Sequence, residues 1–93
     1  MELRVREHVK NEITDITFWY EKKSAGLGEY FLRALNITFE LIKVQPKSFP
    51  KVYCDVRRVL TKRFPYVVYY RYSPSEIEIL AVVHSSRKAP ELG

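Results

Sequence analysis

Cysteine, histidine and glycine are scarce in this 93-residue chain, at one, two and three residues. A lone cysteine, Cys54, excludes an internal disulfide and fits a reducing compartment. His8, His84 and Cys54 are the only good transition-metal ligands, and no two stand at ligand spacing, so no metal centre is expected. The sequence has no glycine-rich phosphate loop and no nucleophile elbow, and no cofactor is expected. No apolar run approaches the roughly 20 residues that span a bilayer, and Met1–Arg6 carries no signal-peptide core. The expectation is a cytoplasmic protein with no membrane partner. Repeats and low-complexity segments are also missing.

What is present is charge of one sign in one half. Residues 1–45 hold seven Lys/Arg and seven Asp/Glu, whereas residues 46–93 hold nine and four, so the whole formal charge of +5 lies in the second half. A sequence pI near 9.4 favours nucleic acid or an acidic partner, with a merely solvated basic surface as the plain alternative. The length predicts a single domain over 1–93. A chain this short buries only about 60–65% of its unfolded surface, and the 46% hydrophobic content supplies the core.

Alternation of Leu3 and Val5 with Arg4 and Arg6 predicts a short strand. Val9, Ile13, Ile16 and Tyr20 then line one helical face, with Asn11, Asp15 and Lys22 mostly opposite. Ser24–Gly28 breaks this helix, and Gly26 is expected as its left-handed C-terminal cap. A second helix is expected from about Glu29 to Val44, with Phe31, Ala34, Leu35, Thr38, Leu41 and Ile42 as its apolar stripe. Two such helices on a short turn lie antiparallel, and Pro46 and Pro50 end the helical part. The pattern then changes to strands at Val56–Leu60, Tyr66–Tyr72 and Ile77–Val83, with a turn at 73–76. The predicted fold is a two-layer α+β domain of order β-α-α-β-β-β. Its N-terminal strand and helical hairpin pack on an antiparallel sheet.

Cations and aromatics interleave along the last third. Arg57, Arg58, Lys62 and Arg63 have the chemistry to grip phosphates, or equally to protect an edge strand from aggregation. Tyr66, Tyr70 and Tyr72 share one strand parity, Tyr69 and Arg71 the other. One set faces the helices, and the exposed set is expected to offer stacking surfaces for bases. Tyr66 and Lys88 join the candidate RNA-binding set. His84 and Arg87 sit where the last strand runs into a polar tail. A histidine moves protons near neutral pH, and a neighbouring arginine stabilises charge on a phosphoryl group. Together they are the least that metal-free RNA cleavage by a 2′-hydroxyl needs. The plain alternative is a strand-end histidine bonded to backbone beside a solvated arginine.

Several short stretches together resemble one family. They are Glu12-Ile13, Trp19-Tyr20-Glu21, Gly26-Leu27-Gly28 before Phe31, Pro46, Val56-Arg57-Arg58, Phe64-Pro65-Tyr66 with Tyr69-Tyr70, and Ile79 to Arg87. In order and spacing they resemble the RelE/ParE superfamily of type II toxin–antitoxin toxins, often called plasmid stabilization proteins. The resemblance implies a toxin neutralised by a cognate antitoxin. RelE-like members cleave messenger RNA on the ribosome, whereas ParE-like members inhibit DNA gyrase without chemistry of their own. On the RelE-like branch, which is the first expectation, His84 would be acid or base and Arg87 the phosphate-binding arginine. On that branch Tyr66 stands where RelE carries another catalytic arginine. The gyrase-binding branch and an inactive antitoxin-binding module are the alternatives.

Overall fold

The computed structural model describes residues 2–90. Strand β1 (Glu2–Val5) leads into helix α1 (Glu7–Lys23), a tight turn and helix α2 (Leu27–Val44). Four strands follow: β2 (Lys51–Tyr53), β3 (Val56–Leu60), β4 (Tyr66–Tyr72) and β5 (Glu76–His84). They form one five-stranded sheet in the order β1-β5-β4-β3-β2. The α+β architecture is as expected, with two additions. The short edge strand β2 is beyond the sequence expectation, because Lys51–Tyr53 is exposed throughout and shows no alternation of burial. The sheet is also mixed, since β1 pairs parallel to β5 while the other pairs are antiparallel. No described helix is long and apolar enough to cross a membrane.

The main core lies between the helical hairpin and the sheet. Val9 of α1 and Phe31, Leu35 and Ile42 of α2 pack on Val59, Val68, Tyr70, Ile77, Ile79 and Val82. Burying a side chain of this size stabilises the fold by about 1.5–3 kcal/mol. Tyr70 donates its hydroxyl proton to the Pro46 carbonyl at 2.6 Å, which ties the end of the helical part to the central strand. Burial holds its pKa up at about 12, although Arg57 pulls it down, so the phenol stays a donor.

The turn between the helices departs from expectation in one detail. Gly26 is left-handed (φ 88°), but it caps the start of α2, while Ser24 ends α1. Helix α2 begins at Leu27, two residues earlier than expected, because Glu21 reaches over this turn. Its carboxylate accepts the Gly26 and Gly28 amide protons at 2.9 and 3.0 Å. A carboxylate on free amides at a helix start is favoured by hydrogen bonding and by the helix dipole. Gly28 is there for space: a Cβ would lie 2.7 Å from the Thr17 carbonyl oxygen. This geometry is a physical reason for Glu21, Gly26 and Gly28 to occur together.

The two faces of the sheet both carry core. Val67 and Tyr69 of β4 point away from the helices and pack with Val56, Leu80 and Ala81 in a second cluster. The expected exposed aromatic set is therefore not present: Tyr69 is 4% exposed. The strand β5 changes phase midway. Tyr69 pairs with Ala81 but Tyr70 with Ile79, so Leu80 is an extra residue. Such a bulge reverses the side-chain alternation beyond it. Ile77 and Ile79 face the helices before it, and Val82 does so after it. The same shift places His84 on the helix side.

Candidate functional site

Three connections meet at one end of the molecule: the α1–α2 turn, the β3–β4 turn and the exit of β5. Phe64 is the plug. Its buried ring meets Tyr20 at 4.9 Å, Phe31 at 5.3 Å and Tyr30 at 5.9 Å. The Ser85 amide donates to the Pro65 carbonyl at 2.7 Å and the Thr61 amide to the Tyr66 carbonyl at 2.8 Å, which locks both turns together. Arg63 holds a left-handed backbone (φ 68°), and its guanidinium donates to the Tyr30 hydroxyl on α2. Lys62 and Arg63 are exposed at this end. Lys23 lies 4.8 Å from the centre of the Trp19 ring on the last turn of α1, so cations and exposed aromatics mix here.

Beside this plug, α1 and the end of β5 enclose a cleft of about 240 Å³. Tyr66, His84 and Arg87 line it, together with Glu12 and Asp15 of α1. Tyr66 and His84 are cross-strand partners with ring centres 5.4 Å apart. His84 Nδ1 accepts the Ser86 amide proton at 3.1 Å and lies 2.8 Å from the Ser86 hydroxyl. A neutral ring with Nδ1 accepting carries its proton on Nε2. Its one basic lone pair is then already engaged. One Glu12 carboxylate oxygen is buried with no hydrogen-bond partner. Both carboxylates oppose entry of an anion beside Arg87.

The other sequence candidates are dispersed. Arg57 faces the helix side and donates to the Lys47 and Phe49 carbonyls at 3.0 and 2.6 Å, with its guanidinium 5.6 Å from the Tyr72 ring. It fastens the loop after α2. Arg58, paired with Tyr69, lies on the opposite face. Lys88 is exposed beyond β5. The structure thus brings together Tyr66, His84 and Arg87, sets Lys62 and Arg63 on the adjoining turn, and separates Arg57 and Arg58. Sequence reading missed the roles of Glu12 and Asp15. Asp15 falls opposite the apolar face of α1, and only the position of β5 reveals what it meets.

A further cationic group is structural. Glu78 accepts from Arg6 at 2.7 Å and Arg71 at 3.1 Å, and Arg4 bridges Glu78 and Glu76 at 3.2 Å each. These pairs pin β1 to β5 and β4. The Arg6 hydrogen bond, then Arg71, lower the Glu78 pKa below its ordinary value against the opposing effect of burial. Among the described residues no three His, Cys, Asp or Glu side chains are grouped to hold a metal ion.

Comparison with known proteins accords with this architecture. No curated protein matches the chain. Among solved structures, a chain of the "Chromosomal ParDE TA system from P. aeruginosa" is similar in fold. Its TM-score is 0.65 at 21% identity, over 90% of this chain and 95% of that one. The family model described as the ParE toxin of type II toxin–antitoxin system, parDE, matches residues 3–89. With nearly the whole sequence matched, from β1 to the tail beyond Arg87, the chain belongs to the ParE toxin family of type II toxin–antitoxin systems.

Proposed function

We propose that this toxin arrests growth by binding DNA gyrase through its cationic, aromatic end, and that it cuts no RNA. The observation that carries this reading is the company Arg87 keeps. It shares its cleft with Glu12 and Asp15, so the site most like a nuclease centre is guarded by two carboxylates. A phosphodiester entering it would meet their charge, which opposes the attraction of Arg87. The engagement of His84 Nδ1 with Ser86 points the same way, since a general base needs a free lone pair. Lys62 and Arg63, exposed on the adjoining turn, have no carboxylate partner among the described residues and suit an acidic protein surface. Membership of the ParE family supports gyrase as the target.

The second reading, ribosome-dependent cleavage of messenger RNA, draws on the shared cleft of Tyr66, His84 and Arg87. Tightly controlled expression with separate pulse-labelling of DNA and protein synthesis divides the two. The proposal expects DNA synthesis to fall first, and both His84→Ala and Arg87→Ala to stay toxic. An early fall in protein synthesis that either substitution abolishes would establish the nuclease instead. Unimpaired growth would leave an inactive antitoxin-binding module.

A further inference from the structure

His84 and Ser86 form a pair that binding to gyrase leaves unused. The Ser86 amide donates to His84 Nδ1 at 3.1 Å, and the Ser86 hydroxyl oxygen lies 2.8 Å from the same nitrogen. An amide can only donate, so Nδ1 is an acceptor and its lone pair points at Ser86. The hydroxyl can then bond Nδ1 only by donating its own proton. That is how a nucleophile stands to its general base, and the distance falls in the range of about 2.6–3.2 Å that such pairs span. The lone pair denied to an incoming 2′-hydroxyl is thus directed at a hydroxyl of the chain itself.

The pair is held in place. The Ser85 amide donates to the Pro65 carbonyl at 2.7 Å and the Arg87 amide to the His84 carbonyl at 3.0 Å, so the turn carrying Ser86 is fixed on both sides. The His84 ring is half-buried against Tyr66, whereas Ser86 is exposed to an incoming reagent. The cleft beside His84 supplies the remaining groups. Glu12 and Asp15 line it, and neither is in an ion pair among the described residues. Their charge favours the imidazolium that forms when Nδ1 takes a proton. Arg87 lines the same cleft and offers a cation to the oxyanion of a tetrahedral intermediate. Because the two carboxylates oppose an anionic reagent, the site suits a neutral one.

We propose that Ser86 is a base-activated nucleophile that accepts the acyl group of a neutral carboxylic ester. Its Oγ attacks the ester carbonyl carbon and its proton passes to His84 Nδ1. The Ser86 amide, at 3.1 Å the longer of the two contacts, gives way to that proton. The carbonyl electron pair moves onto oxygen beside Arg87. Its return breaks the bond to the alkoxy oxygen, which takes the proton back from His84. The products are an acylated Ser86 and a free alcohol, with no change of oxidation state. The inference goes beyond the toxin reading and does not depend on which cellular target the toxin binds.

The test treats the purified full chain with p-nitrophenyl acetate, follows nitrophenolate release and locates the acetyl group by peptide mass spectrometry. The parent should show a stoichiometric burst with the acetyl group on Ser86. Ser86→Ala should abolish the burst. His84→Gln, which keeps bulk against Tyr66 but is no base, should slow acetylation of Ser86 about 100-fold. Arg87→Ala should slow it about tenfold. Ser85→Ala removes a neighbouring hydroxyl that has no base and should react like the parent. A p-nitrophenyl ester that bears a carboxylate should react more slowly than the acetate, and Glu12→Gln with Asp15→Asn should narrow that gap. Circular dichroism should show every variant folded. Acetyl groups on lysines alone would overturn the proposal, as would acetylation of Ser86 no faster in the parent than in His84→Gln. A toxin that proves inactive in cells would refute the toxin reading and leave this result standing.

Discussion

Two cationic places adjoin at one end of this molecule, and they differ in what surrounds them. Arg87 lies in a cleft with Glu12 and Asp15, beside a histidine already bonded to Ser86. Lys62 and Arg63 stand on a tight turn beside apolar residues of α2 and, among the described residues, pair with no carboxylate. A count of charges along the sequence treats these places alike. Their neighbours do not, because carboxylates lining the same cleft offset part of the attraction a cation offers an incoming anion. The exposed pair on the turn, of which Arg63 bonds only the neutral Tyr30 hydroxyl among the described residues, is the better anchor for an acidic protein, and the guarded one is poorly suited to a phosphate.

The largest contrast is expected in cells. Lys62→Glu with Arg63→Glu should raise the expression needed for growth arrest at least about tenfold, whereas His84→Ala and Arg87→Ala should leave it unchanged. The reverse pattern would invert the comparison. Phe64 supports both places at once, packed on Tyr20, Tyr30 and Phe31. Phe64→Ala should cost about 3–5 kcal/mol in chemical denaturation and loosen both turns together.

The Glu78 cluster is a control in which cations serve the fold alone. Glu78→Gln should cost about 2 kcal/mol at neutral pH, discounted from a fully buried pair because the arginines are 35–59% exposed. The folded-state pKa of Glu78 lies below the ordinary 4.5. Its contribution is therefore fully present above about pH 4.5 and fades as pH falls through the lower, folded value. Acid titration of stability should show that loss in the parent protein, and the Gln variant should lack it.

The smallest effect is also the sharpest test of the guarded cleft. Glu12→Gln with Asp15→Asn should raise affinity for a short RNA about threefold at low salt, with the gain vanishing at high salt. Stability should rise by about 0.5 kcal/mol, since the buried Glu12 oxygen has no partner and a neutral amide costs less to bury. An unchanged RNA affinity would show that the two carboxylates do not guard Arg87.

The elements with strong local signals were legible in the sequence. The periodicity of Val9, Ile13, Ile16 and Tyr20 marked α1, and the aromatic run from Tyr66 to Tyr72 marked β4. Lys51–Tyr53 was not legible, because an exposed three-residue edge strand exists only through its pairing with β3. Leu41 was read into the inner stripe of α2, yet it belongs to the outer one. A helix with two stripes shows which faces the sheet only once the sheet is placed. His84 and Arg87 could be picked out as a pair, but the carboxylates opposite them could not, since Glu12 and Asp15 lie some 70 positions away.

The sequence by itself determined the period of each main element, the basic second half and the family likeness, because these follow from residue type and short-range spacing. Only the tertiary structure decided which face each residue took. The extra residue at Leu80 turns the end of β5 over and carries His84 toward α1. The bonds from Arg57 to the Lys47 and Phe49 carbonyls turn a candidate phosphate ligand into a loop fastener. Those outcomes depend on long-range register and on which groups compete for one side chain, and neither is written in local pattern.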